Sequence, residues 1–324
     1  LRDLDGFEDL SLADLIGRWC DRMQDKTPPD YLRFGIEQLD GYLNVSRGKF
    51  VILAADSSVG KTALALQFAY HMAETSKKVG FFSLETDADT LTDRLLAEIQ
   101  TAAVDLPRAK RKQIRDEDWK RVTALAMREA AGRIRILNKF RTVDQIRGRT
   151  IMRGFDVVFV DYVQLLEASG KERWDIVTNI SIGLHRMAQE LGVTVIGLSQ
   201  ITPAAKGSKQ APTKDDLRES RQLKQDADVI MILSPSTDEE DPENTRILDV
   251  AKNKDGRCGK IKLRFEPQHM TFTELITISG MRAEGQAIKN QRISEGKKAI
   301  RKDNAKAAQP PKLEELDDEE VIPF

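Results

Sequence analysis

The chain has 324 residues, and its 51 Lys and Arg residues nearly balance 52 Asp and Glu residues, which gives a formal net charge of -1. This balance excludes a uniformly basic nucleic-acid coat but allows a local basic groove, and the length suits one large domain or two ordinary ones. No apolar run approaches the ~18–20 residues that span a bilayer, and the N-terminus has no signal-peptide core. Two cysteines and three scattered histidines exclude a disulfide framework and a zinc module.

The first predicted element is an amphipathic helix over residues 11–24, within an N-terminal segment at 1–30. Ser11 is suited to cap it, and the Lys-Thr-Pro-Pro-Asp sequence that follows ends it. One face of the helix carries the apolar residues Leu12, Leu15, Ile16, Trp19 and Met23. Such a helix must bury this face, and two partners remain open: the protein's own core or a neighbouring subunit.

Between residues 31 and 278, short β-rich runs alternate with helical stretches. Near-continuous apolar runs predict strands buried on both faces, and the helices between them predict an α/β fold with a mainly parallel sheet flanked by helices. The runs are 50–55, 79–84, 133–137, 157–162, 193–199, 229–233 and 247–251. Two later runs, 261–265 and 270–275, predict an antiparallel hairpin at the sheet edge.

Residues 279–324 form a third zone, which is first basic and then acidic. This zone has few large apolar side chains and therefore little material for a core, so we expect a disordered tail.

The segment 55–62 lies between a predicted strand and a predicted helix, which is the context that a Walker A phosphate-binding loop requires. Its main-chain N–H groups can surround phosphate oxygens at a helix N-terminus. We expect Lys61 to reach the β- and γ-phosphates and the Thr62 hydroxyl to ligate Mg²⁺. The alternative is a chance Gly-Lys-Thr sequence at a strand–helix turn. The predicted nucleotide-binding residues are Ala55, Asp56, Ser57, Ser58, Val59, Gly60, Lys61 and Thr62.

Three polar residues follow other predicted strands, at the edge where an open α/β sheet binds its ligand. Asp161 ends a hydrophobic strand in the Walker B pattern and is predicted to hold the Mg²⁺ shell. Glu85 is placed to polarise an attacking water, and Gln200 to sense the γ-phosphate. Alternatively, each could simply be a polar strand end that caps the next helix.

Taken together, these segments resemble the C-terminal RecA-like motor domain of DnaB-type replicative DNA helicases of superfamily 4. The resemblance covers about residues 31–275 and is carried by ADSSVGKT, FFSLET, VFVDYVQLL, GLSQ, DDLRESRQLKQDADVIMIL and AKNKDGRCGKIKLRF. It implies a homo-oligomeric ring, usually a hexamer, that binds ATP and Mg²⁺ between subunits and single-stranded DNA in its channel.

On matching positions, the resemblance implies that Lys61 and Thr62 are the Walker A pair and that Glu85 is the catalytic carboxylate. It also implies that Asp161 is the Walker B aspartate and Gln200 the sensor glutamine.

Two features depart from the family pattern. In the trans-acting Lys-x-Arg segment, Lys252 matches the lysine, but Lys254 stands where an arginine finger is expected. An ammonium cannot bridge two phosphate oxygens as a guanidinium can, so we expect slower hydrolysis. About 30 residues precede the motor, too few for the family's N-terminal collar domain. The chain is therefore expected to be a fragment or a naturally short relative, with the 11–24 helix as the linker helix that docks on the next subunit.

The resemblance places DNA-facing loops after the Walker B strand and after the GLSQ strand. The second loop carries Lys206, Lys209 and Lys214 and no acid between 203 and 214, which suits contact with a DNA backbone, although a solvated loop would look similar. The first loop, around Lys171 and Arg173, also holds acidic residues and is the weaker candidate.

The C-terminal tip Asp317–Phe324 resembles the tip of bacterial single-stranded-DNA-binding proteins. An apolar end after an acidic run is suited to dock on a replication or repair partner. A merely solubilising acidic tail is the alternative.

These observations predict a cytoplasmic, DnaB-like, ATP-driven DNA helicase motor, bacterial or phage-encoded, that acts in replication. The alternative is a RecA-type ATPase that is stimulated by DNA but does not unwind it and acts as a regulator or recombination mediator.

Overall fold

The computed structural model describes residues 10–27, 29–99, 104–201, 212–213 and 221–275. The chain divides into two compact units, Leu1–Glu274 and Leu275–Phe324. All helices and strands given below belong to the first unit. The predicted tail at 279–324, with its tip Asp317–Phe324, lies outside the described residues.

A single nine-stranded sheet forms the centre of the described fold, in the order β3-β2-β4-β5-β1-β6-β7-β8-β9. The strands are β1 Phe50–Ala55, β2 Val79–Ser83, β3 Ile134–Leu137, β4 Val157–Asp161, β5 Thr194–Gln200, β6 Val229–Pro235, β7 Thr245–Asn253, β8 Gly259–Glu266 and β9 Thr271–Glu274. The strands from β3 to β6 in this order run parallel, which confirms the predicted mainly parallel sheet.

Two details of the sheet differ from the prediction. The run at 247–251 belongs to β7, which pairs antiparallel with both β6 and β8, because the nine residues between β6 and β7 are too few for a helical crossover. The predicted hairpin of β8 and β9 is confirmed and extends this antiparallel end. The run at 133–137 is an edge strand and is only partly buried, since β3 has a single neighbour.

Helices cover both faces of the sheet. They are α1 Leu12–Gln24, α2 Glu37–Tyr42, α3 Lys61–Glu74, α4 Ala88–Glu98, α5 Leu106–Lys110, α6 Asp116–Ala126, α7 Glu129–Arg133, α8 Val143–Arg153, α9 Arg173–Leu191 and α10 Arg221–Asp226. On one face, α3 buries Leu64, Phe68 and Met72 against the sheet. On the other, α8, α9 and α10 form a second apolar layer. The described helices include none long and apolar enough to cross a membrane.

The predicted N-terminal helix is present as α1, and Ser11 caps it. The Ser11 hydroxyl accepts the Asp14 N–H, while the Asp14 carboxylate accepts the Ser11 N–H at 3.0 Å, which completes a capping box. The apolar face is uncovered, with Leu12 73% and Trp19 53% exposed. Among the described residues, the helix therefore does not bury this face on the protein's own core.

Candidate active site

The segment between β1 and α3 forms a tight loop at the carboxyl edge of the sheet. All six residues of β1 are buried, and α3 begins six residues after the strand ends, at Lys61. Gly60 precedes the helix with φ +112°, a conformation that favours glycine. A Cβ at this position would lie 2.7 Å from Cζ of Phe272, so glycine also allows close packing of the β8–β9 hairpin. The structure thus places the segment in the strand–loop–helix context that the sequence predicts.

A cavity of about 380 Å³ lies over this loop. Strand register explains how distant residues converge on it, because Gln200 pairs with Ala55 at the ends of β5 and β1. In the same way, Ser83 pairs with Asp161 at the ends of β2 and β4. Of the predicted site residues, those that line the cavity are Asp56, Ser57, Ser58, Gly60, Lys61, Thr62, Glu85 and Gln200.

Asp161 and Thr62 contact each other at the floor of the site. The Thr62 hydroxyl donates to Oδ2 of Asp161 at 2.8 Å, and Asp161 is fully buried. Burial raises the pKa of Asp161, and the Thr62 hydroxyl and the Lys61 ammonium oppose this rise. Oδ1 of Asp161 has no hydrogen-bond partner among the described residues. Burying a carboxylate oxygen without a partner costs free energy, and a hydrogen-bond donor or a cation would offset this cost.

These two side chains fit a Mg²⁺ ion. Mg²⁺ prefers oxygen ligands and usually takes one or two from the protein, with phosphate and water oxygens for the rest. The unpartnered Oδ1 of Asp161 and the adjacent Thr62 hydroxyl provide that set. In the described part of the chain, no cluster of three or more His, Cys, Asp or Glu side chains is suited to a metal ion. The two oxygen donors of Asp161 and Thr62 match a cation that is shared with phosphate.

Lys61 is the buried cation of the site. Burial lowers the pKa of Lys61, and the charges of Asp161 and Glu85 oppose this change. Nζ of Lys61 lies 5.0 Å from the centroid of the Tyr162 ring, which is within the range of a cation–π contact. Burial has removed water from the Lys61 ammonium, so its charge is poorly solvated. An anionic ligand in the adjacent cavity would stabilise this charge.

Six residues that line the cavity were not predicted from the sequence: Ala63 and Thr86, which adjoin predicted site residues in the chain, and Arg94, Phe265, Pro267 and Met270. Arg94 reaches the site from α4, and its charge acts on Asp161. Phe265, Pro267 and Met270 come from the β8–β9 hairpin, which forms the opposite wall. No spacing or motif marks Arg94, Pro267 or Met270 as site residues. They reach the cavity through strand order and through packing of the hairpin on the loop, so the only available signal was the predicted hairpin itself.

Lys252 and Lys254 do not line this cavity. Lys252 donates to the carbonyls of Lys224 and Gln225 at 2.7 and 3.1 Å, and Nζ of Lys254 lies 2.8 Å from Oδ1 of Asp228. Both lysines lie beside the first residues of β6 and β1, at the amino edge of the parallel strands. The phosphate-binding loop is at the carboxyl edge, so neither lysine can act on the nucleotide of its own subunit in this arrangement.

Of the two predicted DNA-facing loops, the structure describes the first but not the lysines of the second. Lys206, Lys209 and Lys214 lie outside the described residues. Lys171 and Arg173 are exposed at the start of α9, beyond the end of β4. This loop emerges from the same carboxyl edge of the sheet as the cavity.

Comparison with known proteins gives concordant matches. The family model for the DnaB-like helicase C terminal domain matches residues 32–274. A "Probable plasmid replicative DNA helicase" of Chlamydia trachomatis is 32% identical over 239 residues, which are 71% of this chain and 52% of the relative. "Replicative DNA helicase DnaB" of Geobacillus stearothermophilus is 33% identical over 256 residues, 74% of this chain and 56% of the relative.

Among solved structures, "The Structure Of A DnaB-Like Replicative Helicase And Its Interactions With Primase" superposes with a TM-score of 0.74 at 30% identity. The match covers 82% of this chain and 68% of that chain. The chain spans about half the length of the curated relatives it matches.

Proposed function

The chain belongs to the DnaB-like helicase C-terminal domain family, and on that premise we propose that it is the ATP-hydrolysing motor of a replicative DNA helicase. The observation that carries the proposal is the convergence of Lys61, Thr62, Glu85 and Gln200 on one cavity above the buried Asp161. Hydrolysis of a nucleoside triphosphate needs a loop that binds the phosphates and a carboxylate on the other side of the same cavity, here Glu85 after β2.

We propose the following roles for these side chains. The loop N–H groups and Lys61 bind the β- and γ-phosphates, and Thr62 and Asp161 would hold Mg²⁺. The ion, when bound, neutralises charge that develops on the phosphate oxygens. Glu85 lines the cavity and is exposed to it, and as general base it would accept a proton from the attacking water. Gln200 would contact the γ-phosphate or the water.

A ring of identical subunits would complete this site. The position of Lys252 and Lys254 at the opposite edge of the sheet supports action on a neighbour's nucleotide, as a head-to-tail ring allows. The uncovered apolar face of α1 supports docking on a second copy. An apolar groove of about 400 Å³ between α4, α6 and β3, lined by residues such as Leu95, Leu125 and Ile136, suits such a helix.

A forked DNA substrate tests the proposal directly. We expect the full chain with ATP and Mg²⁺ to hydrolyse ATP faster when single-stranded DNA is added and to displace the annealed strand. Lys61→Ala is the negative control. ATP hydrolysis without strand displacement would favour the non-unwinding ATPase, and absence of hydrolysis would refute the motor assignment.

Mixed subunits test the shared site. Lys254→Ala subunits keep an intact phosphate loop and Lys61→Ala subunits keep an intact Lys254, so mixing them should restore part of the hydrolysis that each alone lacks. Lys254→Arg should equal or exceed the wild-type rate, because a guanidinium can bridge two phosphate oxygens. If the mixture stays inactive although both variants assemble, Lys254 does not act in trans.

A further inference from the structure

The side chain of Gln164 joins the ends of two neighbouring strands. It follows β4 in a short 3₁₀ helix, Val163–Leu165, and is 8% exposed. Its amide nitrogen donates to the carbonyl of Gln200 and to the hydroxyl of Ser199, both at 2.9 Å. Its amide oxygen accepts the N–H of Gln200 at 3.3 Å. Both main-chain polar groups of Gln200 are therefore bound by one side chain.

The hydrogen bonds between Gln164 and Gln200 continue the pairing of β4 with β5 beyond its last main-chain pair. The β4–β5 ladder ends at the pair Val160–Gly197, three residues short of Gln200. A primary amide offers a donor and an acceptor in the geometry of a peptide group, so it can continue the ladder. On its other side, the end of β5 pairs with Ala55 of β1, where the phosphate-binding loop begins. The position of Gln200 above the cavity thus depends on β1 and on Gln164.

Gln164 also contacts the start of α9. Nη2 of Arg173 donates to the main-chain carbonyl of Gln164 at 3.4 Å. Arg173 is the first residue of α9 and belongs to the exposed loop that follows the Walker B strand. One residue therefore contacts both the strand end that carries Gln200 and the first of the two loops that the resemblance places next to DNA.

We infer that Gln164 is a positioning residue that couples contact of the Arg173 loop with single-stranded DNA to the placement of Gln200, and thereby to the rate of ATP hydrolysis. The inference rests on the proposed motor function and extends it. A displacement of the loop by DNA would move the Gln164 main chain, and the side chain would transmit this to the main chain of Gln200. The loop N–H groups and Lys61, which we propose to hold the phosphates, keep their contacts when Gln164 changes, so the effect falls on kcat and not on KM for ATP.

The experiment compares ATP hydrolysis of the full chain with and without saturating single-stranded DNA. Gln164→Met keeps the length of the side chain and removes its hydrogen bonds. We expect the ratio of DNA-stimulated to basal kcat to fall about three- to tenfold, the size that the loss of one or two hydrogen bonds gives. KM for ATP should stay within about twofold, since the phosphate loop is untouched. Arg173 is exposed, so we expect Arg173→Met to keep the fold. This variant should lower the same ratio, because it removes the hydrogen bond from the loop to the Gln164 carbonyl.

Gln67→Met is the matched control. Gln67 also binds both main-chain groups of one residue, Phe272, at 2.8 and 2.9 Å, and these hydrogen bonds involve neither Gln200 nor the Arg173 loop. Its substitution removes similar bonds, so the stimulation ratio should remain at the wild-type value.

Three outcomes decide between the possibilities. If the wild-type chain hydrolyses ATP and responds to DNA while Gln164→Met keeps the ratio, the coupling is refuted and the motor function stands. If Arg173→Met needs more DNA for half-maximal stimulation but reaches the wild-type ratio at saturating DNA, Arg173 is only a DNA contact and the coupling is refuted. A wild-type chain without ATP hydrolysis would overturn the motor function itself.

Discussion

Substitution of Gly60 by alanine tests how the phosphate-binding loop is fixed to the fold. Gly60 has φ +112°, and the atom nearest to an added methyl group would be Cζ of Phe272 at 2.7 Å. Phe272 is 2% exposed and stacks on Phe265 with ring centroids 4.5 Å apart, so it has little room to withdraw. We expect Gly60→Ala to destabilise the fold and to weaken nucleotide binding together.

The magnitude follows from two separate costs. A residue with a Cβ in left-handed backbone conformation costs about 1–2 kcal/mol. Overpacking against a buried ring costs about 1–3 kcal/mol. The free energy of unfolding of Gly60→Ala should therefore fall by about 2–5 kcal/mol, and in a domain of this size each kcal/mol lowers Tm by about 2–4 °C.

Urea unfolding followed by circular dichroism measures the first effect, and a double variant separates the two costs. In Gly60→Ala/Phe272→Leu the steric overlap is relieved, so the double variant should be about 1–3 kcal/mol more stable than the sum of the single changes predicts. Gly148→Ala in α8 is the control, because its new methyl group meets no atom within 4 Å. It should leave stability unchanged or raise it by up to about 1 kcal/mol. Strict additivity in the double variant would refute the proposed contact.

Three further predictions concern charge. Lys61→Ala should abolish phosphate release from ATP, since the bound phosphates lose their buried counterion; turnover at the wild-type rate would contradict this role. Glu85→Gln should retain nucleotide affinity in a titration with fluorescent ATP but stop hydrolysis, because the amide cannot accept the proton; a parallel loss of affinity would mean that Glu85 is structural. The backbone N–H of Arg115 and the guanidinium of Arg108 hold the pKa of Asp118 at about 2. The folded-state pKa is depressed, so the stability that Asp118 contributes is present above pH ~4 and is lost as the pH falls towards ~2; urea unfolding of Asp118→Asn should show a weaker loss over this interval, and an unchanged loss would contradict the assignment.

The strand positions were largely predictable, because burial on both faces leaves a strong trace in the sequence. The run at 50–55 coincides with β1, and the N-cap at Ser11 is present. The antiparallel direction of β7 was not predicted, since an apolar run does not encode direction. Only the short connection after β6 indicates it, and connection length becomes informative only once the strand ends are known.

The site residues fall into two groups, those that could be predicted from the sequence and those that could not. The difference is whether a residue acts through its own charged side chain or by binding main-chain atoms of another residue. Asp161 and Lys61 work through charged side chains at strand and helix ends, and residue type and position predict such groups. Gln164 instead binds main-chain atoms of Gln200, which is 36 positions away. The partner of such a contact can be any amino acid, so the sequence holds no complementary signal for it. The order of the strands alone brings the two partners together. Residues that position a site therefore cannot be identified from the sequence in the way that catalytic residues can.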